Sequence, residues 1–228
     1  MEPIDTTRER QGVHVLPDFS ATPDANGVLA RIPLRLPDAE RICHFTAFQR
    51  HDPMRQARQD QAIGGGANRV QGLVVADWSD AIEGGLFALL QLADDDWMAL
   101  LPLAGRQSLA WFAPADAGVA LALGTLGTEA VRGDLPALAW SRSASVYDAC
   151  DRVWRLALAH PLLRGRARLR SEKPYPHTFA YLGWCSWEQY KQDISADLLV
   201  DAARQINASD LPIRYMLVDD GWLRHRDR

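Results

Sequence analysis

The sequence predicts a mostly β domain of sandwich type, followed by a strand–helix–strand unit with parallel strands. Three observations carry this. Up to about residue 143, short apolar stretches recur, each closed by Gly, Pro, Asn or Asp. From Ser145 onward the apolar spacing changes to three and four residues, the period of a helix. Near the end, two apolar segments flank a second stretch of helical period.

The β region contains Val13–Leu16, Val28–Leu36, Gly72–Ala76, Gly85–Leu92, Trp97–Leu103, Ser108–Ala113 and Val119–Leu123 as candidate strands. The breaks between them include Asp24-Ala-Asn-Gly27, Gly64-Gly-Gly-Ala-Asn68 and Ala113-Pro-Ala-Asp116. Leu86–Leu92 and Trp97–Leu103, joined by Ala93-Asp-Asp-Asp96, read as a hairpin. Ser145 is a candidate N-cap, because its hydroxyl can accept from an orphan backbone N–H. Val146, Ala149, Cys150, Val153, Trp154 and Ala157 then form one helix face, which His160-Pro161 ends. A basic link runs on to Pro174-Tyr-Pro176.

From His177 the pattern is α/β. Thr178–Cys185 reads as a buried strand. Ser195 caps a helix whose stripe is Leu198, Leu199, Ala202, Ala203 and Ile206, with Asp197 in the first turn. Asn207–Pro212 breaks it, and Ile213–Val218 is the second strand, reached by a right-handed crossover. The expected division is residues 1–143 as the β-sandwich, 144–176 as a linking helix and connecting segment, and 177–228 as the α/β part.

The composition narrows the function. The chain has 228 residues, 47% of them hydrophobic and 24% charged, which suits a packed globular core. A net charge of −4 offers no broad positive surface, so nucleic acid is not expected as a partner. The basic run Arg164-Gly-Arg-Ala-Arg-Leu-Arg170 reads as a solvated link. Cys43, Cys150 and Cys185 are far apart and form no C-x-x-C pair, which disfavours disulfide and zinc frameworks. The N-terminus lacks the apolar segment of a secretory signal, and apolar runs such as Leu86–Leu90 are too short for a membrane span. A soluble cytoplasmic protein is the expectation.

Several features carry weak signals. Gly64-Gly-Gly66 lacks the Lys-Ser/Thr of a phosphate loop and reads as a turn. His44 and His51 lack metal-ligand spacing, and Asp94-Asp-Asp96 lacks the rest of a calcium loop. The stronger signal comes from two strand-end segments, Tyr181-Leu-Gly-Trp-Cys-Ser-Trp-Glu188 and Val218-Asp-Asp-Gly-Trp222. Parallel α/β folds bind ligands at the C-terminal edge of their strands. An indole offers a flat apolar face to a sugar ring, and carboxylates accept from hydroxyls. Taken singly, a strand-end Trp is ordinary packing and Asp-Gly is an ordinary turn. Their order and spacing together point to a carbohydrate.

Gly183-Trp-Cys-Ser-Trp-Glu188 followed by Leu217-Val-Asp-Asp-Gly-Trp222 resembles the family 36 glycoside hydrolases, in the branch of raffinose synthases and seed imbibition proteins. The resemblance is dense over residues 179–222 and loose before residue 143. It implies a β-sandwich followed by a (β/α)8 TIM barrel, of which this chain holds the first strand–helix–strand unit. It implies retaining chemistry on an α-galactoside, by hydrolysis or galactosyl transfer, with no organic cofactor and no metal. It implies that Trp187 lines the galactose pocket and that Asp219 and Asp220 bind galactose hydroxyls. Trp184 would be structural, and Trp222 fits either role. Cys185 reads as a small buried residue, with no His beside it in sequence to activate it.

Retaining cleavage needs two carboxyl groups about 5–5.5 Å apart. The family places both on later barrel strands, so no catalytic residue is expected within this chain, which reads as an N-terminal fragment. Adjacent strand-end residues point to opposite sides, so Asp219 and Asp220 are a poor substitute pair. The alternative is a truncated, non-catalytic β-sandwich protein with a vestigial sugar-pocket segment.

Overall fold

The computed structural model describes residues 1–46, 71–75, 78, 84–116 and 118–222. His51 and the glycine run at residues 64–66 lie outside these, and the side chain of His44 is not described. The chain divides into two compact units, Met1–Leu169 and Arg170–Arg228.

The first unit is mostly β. Its strands are β1 (Ile4–Asp5), β2 (Gln11–Ala21), β3 (Val28–Arg35), β4 (Arg41–Thr46), β5 (Gln71–Val75), β6 (Gly85–Gln91), β7 (Trp97–Pro102), β8 (Leu109–Ala115), β9 (Gly118–Gly124) and β10 (Val131–Ser143). One run is ordered β1-β3-β9-β8, and the other β5-β4-β6-β7-β10-β2. Between the named strands they meet at Gly85 with Phe112, and a bridge of Ala104 with Leu109 adds to the joint, so that the ten strands form one continuous sheet. All pairings are antiparallel except β1 with β3.

That joint lets both runs turn apolar residues towards one core. Ile32, Leu121 and Leu123 come from the first run, and Leu90, Met98, Leu100 and Leu138 from the second. Phe112 is fully buried at the joint, and its ring lies 5.6 Å from that of Trp78. The expected hairpin is present: Ala88 faces Leu100 and Gln91 faces Trp97. At its tip Asp94 and Asp95 adopt left-handed φ of 59° and 55°, a conformation that Asp tolerates better than most residues. Asp96 closes the tip by accepting from Arg10 Nη2 and Arg142 Nη2, each at 2.9 Å. It thereby ties the hairpin to the start of β2 and the end of β10.

The β6-β7-β10 layer is apolar on both faces. Its outer face is covered by α1 (Val146–Ala159). Ser145 caps this helix, its Oγ accepting from the Asp148 N–H at 3.3 Å. Ala149, Val153 and Ala157 then pack on Ala99, Leu101, Leu103 and Ala139. The helix thus belongs to the first unit, whose boundary falls after Leu169. Double-sided burial explains why β10 shows no clean alternation in sequence. Pro136 is tolerated because the register of β10 against β2 shifts beside it.

The second unit contains β11 (Leu182–Cys185), α2 (Ser186–Tyr190), α3 (Ala196–Ala208) and β12 (Ile213–Leu217). The expected first strand is shortened, because His177–Ala180 forms a 3-10 turn. Both strands are half-buried or exposed rather than buried, with Leu182 53% and Leu217 44% exposed. The cap at Ser195 is present, its Oγ accepting from the Leu198 N–H at 3.3 Å. Of the expected stripe, Ala202 is buried, Leu199, Ala203 and Ile206 are half-buried, and Leu198 is exposed. No helix among the described residues is long and apolar enough to cross a membrane.

Phe112→Ala should destabilise the first unit by about 3–5 kcal/mol in urea unfolding, while Leu126→Ala on the surface should change little. Burial holds the His14 imidazole below its ordinary pKa, so on acidification the unfolded chain takes up the proton first. The stability that depends on neutral His14 is therefore full above the ordinary value and lost as pH falls from there through the folded value. Unfolding midpoints across that range should fall for the wild type and fall less for His14→Gln.

Candidate functional site

β11 and β12 are parallel neighbours, with Gly183 opposite Tyr215, Trp184 opposite Met216 and Cys185 opposite Leu217. Their C-terminal ends therefore lie at one edge, where α2 follows β11 and the loop Val218–Trp222 follows β12. Close approach of the strands depends on Gly183. A Cβ there would enter the ring of Tyr215, which packs edge-on against Phe179 at 5.6 Å.

Ser186 locks the edge. It is fully buried, and its Oγ accepts from the Asp219 N–H at 2.9 Å. This bond satisfies a backbone donor two residues beyond β12 and sets where the Asp219-Asp-Gly221 loop leaves the sheet. The Asp219 carboxylate accepts at Oδ1 from the Asp220 N–H (2.8 Å) and at Oδ2 from the Cys185 thiol (3.6 Å). Asp220 accepts at Oδ1 from the Gly221 N–H (2.8 Å) and at Oδ2 from Gln192 Nε2 (2.6 Å). The two carboxylates thus have separate anchors: Asp219 is held to the end of β11, and Asp220 to the loop after α2.

Gly221 is required twice over. Its φ is +102°, and a Cβ would run into the backbone carbonyl of Gln192. In the opposing loop, Lys191 takes φ 54° and ψ −123°, an unusual backbone for a residue with a side chain. Its Nζ lies 5.5 Å from the centre of the Trp187 ring and 3.8 Å from Glu188 Oε2. Trp187 is half-buried on α2, and Trp184 packs edge-on against Tyr190 at 6.0 Å. Trp222 is 66% exposed. Cys185 is half-buried rather than fully buried, and its thiol faces a carboxylate.

The structure therefore puts Asp219 and Asp220 in one hydrogen-bonded loop and sets Trp187 on the helix that opens at the same edge. Sequence reasoning missed Ser186 and Gln192 as their partners. Ser186 sat within a recognised motif without a role. Gln192 lies 28 residues from Asp220, beyond the reach of any local pattern.

Two parallel strands ending in loops that carry Trp and Asp define an α/β unit of the kind that binds ligands at its strand ends. Residues 162–227 match the sequence model of a family described as raffinose synthase or seed imbibition protein Sip1. Over that segment the chain is similar to that family, as its motifs indicate. A probable galactinol–sucrose galactosyltransferase of Arabidopsis thaliana is 31% identical over 55 residues, covering 24% of this chain and 7% of that protein. An α-galactosidase of Thermus thermophilus, solved with p-nitrophenyl α-D-galactopyranoside, aligns with a TM-score of 0.42 and 16% identity, over 96% of this chain and 41% of its own. A variant of the α-galactosidase AgaA of Geobacillus stearothermophilus, solved with 1-deoxygalactonojirimycin, aligns with a TM-score of 0.40 and 15% identity, over 88% and 27%. The chain thus spans well under half the length of each of these proteins.

Gly183→Ala should loosen β11 from β12, costing about 1–3 kcal/mol as an overpacked contact does. Amide hydrogen exchange at Trp184 and Met216 would report it, and Tyr215→Ala in the same chain should restore part of the protection.

Proposed function

We propose that this chain supplies the β-sandwich and the first part of the sugar pocket of an enzyme acting on α-galactosides. In this reading residues 1–143 are the sandwich, 144–176 the connection, and 177–228 the opening of a (β/α)8 barrel. The sandwich assignment is supported by the single core shared by two runs of strands. The sugar-pocket assignment rests on one observation above all: two carboxylates at a parallel strand end, separately anchored, beside a helix that carries Trp187.

Trp187 would give its indole face to the pyranose ring. Asp219 and Asp220 would accept from hydroxyls of the galactosyl group, since an ionised carboxylate offers about four acceptor positions and can serve an internal donor and a sugar together. Neither would be nucleophile or acid/base. Those roles need carboxyls about 5–5.5 Å apart across the scissile bond, whereas these two belong to adjacent residues of one loop. Hydrolysis and galactosyl transfer share the same first step and part company only in whether water or a sugar hydroxyl receives the galactosyl group.

A second reading, a non-catalytic β protein with a vestigial pocket segment, is favoured by the exposure of Leu182, Leu217, Val218 and Trp222 in the second unit. Titration with p-nitrophenyl α-D-galactopyranoside, followed by tryptophan fluorescence, separates the two. The pocket reading expects saturable binding, weakened about tenfold or more by Asp219→Asn or Asp220→Asn. The vestigial reading expects none. Neither expects the 228-residue chain to release nitrophenol. Turnover abolished by Asp220→Ala would overturn the assignment of the aspartates to binding alone.

A further inference from the structure

We infer that Gln192 is a positioning residue for the sugar-binding carboxylate of Asp220, a role that rests on the pocket reading above. A strand-end aspartate on an exposed loop has two side-chain torsions, which its hydrogen bonds set. Asp220 is exposed, and its Oδ1 accepts from the Gly221 N–H. Gln192 Nε2 reaches the second oxygen, Oδ2, at 2.6 Å, a short bond of the charge-assisted kind. With each oxygen held from a different loop, the carboxylate plane is defined.

The backbone around Gln192 makes this possible. Its carbonyl sits where a side chain on residue 221 would be, so Gly221 lets the two loops approach each other. Lys191 turns the chain sharply just before it, at φ 54° and ψ −123°, after the single turn of α2. The amide thus reaches back from the end of α2 to the end of β12. Gln suits the task better than Glu or Lys. It donates without adding a further negative charge beside Asp219 and Asp220 and without itself forming an ion pair.

Gln192→Met keeps the length of the side chain and removes the donor, and Gln192→Glu also adds a like charge. Two measurements on the 228-residue chain decide the matter. The first is the carbon-13 resonance of the Asp220 carboxylate carbon, read without sugar. It should move in Gln192→Met while that of Asp219 stays, and thermal unfolding should be unchanged. An Asp220 resonance unmoved by the substitution overturns the positioning role whatever the sugar does. The second is titration with p-nitrophenyl α-D-galactopyranoside. Affinity should fall about tenfold in Gln192→Met and further in Gln192→Glu, the size expected for losing one charge-assisted bond. Wild-type affinity in both variants overturns the inference while leaving the pocket reading intact. If the wild-type chain binds no sugar, the pocket reading fails, and with it the sugar-positioning role of Gln192, even where the resonance shows the contact itself to be real.

Discussion

The second unit depends on the bond from the Asp219 N–H to the buried hydroxyl of Ser186. A strand that ends leaves the backbone donors beyond it without ladder partners, and a donor shielded from water and left unpaired costs roughly 1–3 kcal/mol. Ser186 answers that need from the first residue of α2. It thereby fixes two things together: where β12 stops, and how the loop after it faces the loop after β11. The contacts of both aspartates, with Cys185 and with Gln192, follow from that juxtaposition. Ser186 has no exposed surface, so its contribution to any chemistry at this edge is through Asp219 and not by touching a ligand.

The two units settle their apolar surfaces differently. In the first, β10 and β7 are sheltered on both sides, by the shared core within and by α1 outside. Polar groups there are few, and the ion pairs around Asp96 lie at the rim, where partial solvation keeps their cost low. In the second, Ala202 is the only buried apolar side chain among the described residues, and large apolar groups such as Leu182 and Leu217 remain open. Among the described residues of this unit, two parallel strands and one crossover helix bury little apolar surface. Local hydrogen bonds at Ser186, Ser195 and Gln192 add to its order.

What was legible in the sequence was local. Ser145 and Ser195 could be read as caps because the hydroxyl acts within three residues, and both do so. The hairpin across Ala93–Asp96 was readable because turn chemistry separated two apolar runs. Strand β10 was not readable. Burial on both faces removes the alternation, and Gly133 and Pro136 sit at register shifts. β11 starts at Leu182 and not at Thr178, although Thr178–Ala180 is apolar enough for a strand. Pro174 and Pro176 instead lead into a tight turn. Gln192 was beyond reach for a different reason. Its partner is chosen by how two loops meet after the strands have paired, and no spacing encodes that.

The same distinction bears on how the aspartates can act. A dipeptide of two carboxylates would by itself be a site of mutual repulsion, with each ionised group raising the cost of the other. Here the repulsion is met by giving each carboxylate its own donors: backbone N–H and thiol for Asp219, backbone N–H and amide for Asp220. These four donors are neutral. A cation placed between the carboxylates would hold them more strongly but would compete with a neutral hydroxyl for the same lone pairs. Lys191, in the loop after α2, is directed to Glu188 and the face of Trp187. A carboxylate anchored by a neutral donor keeps its remaining lone pairs as strong acceptors for an uncharged hydroxyl, which is the chemistry that the proposed sugar pocket asks of Asp219.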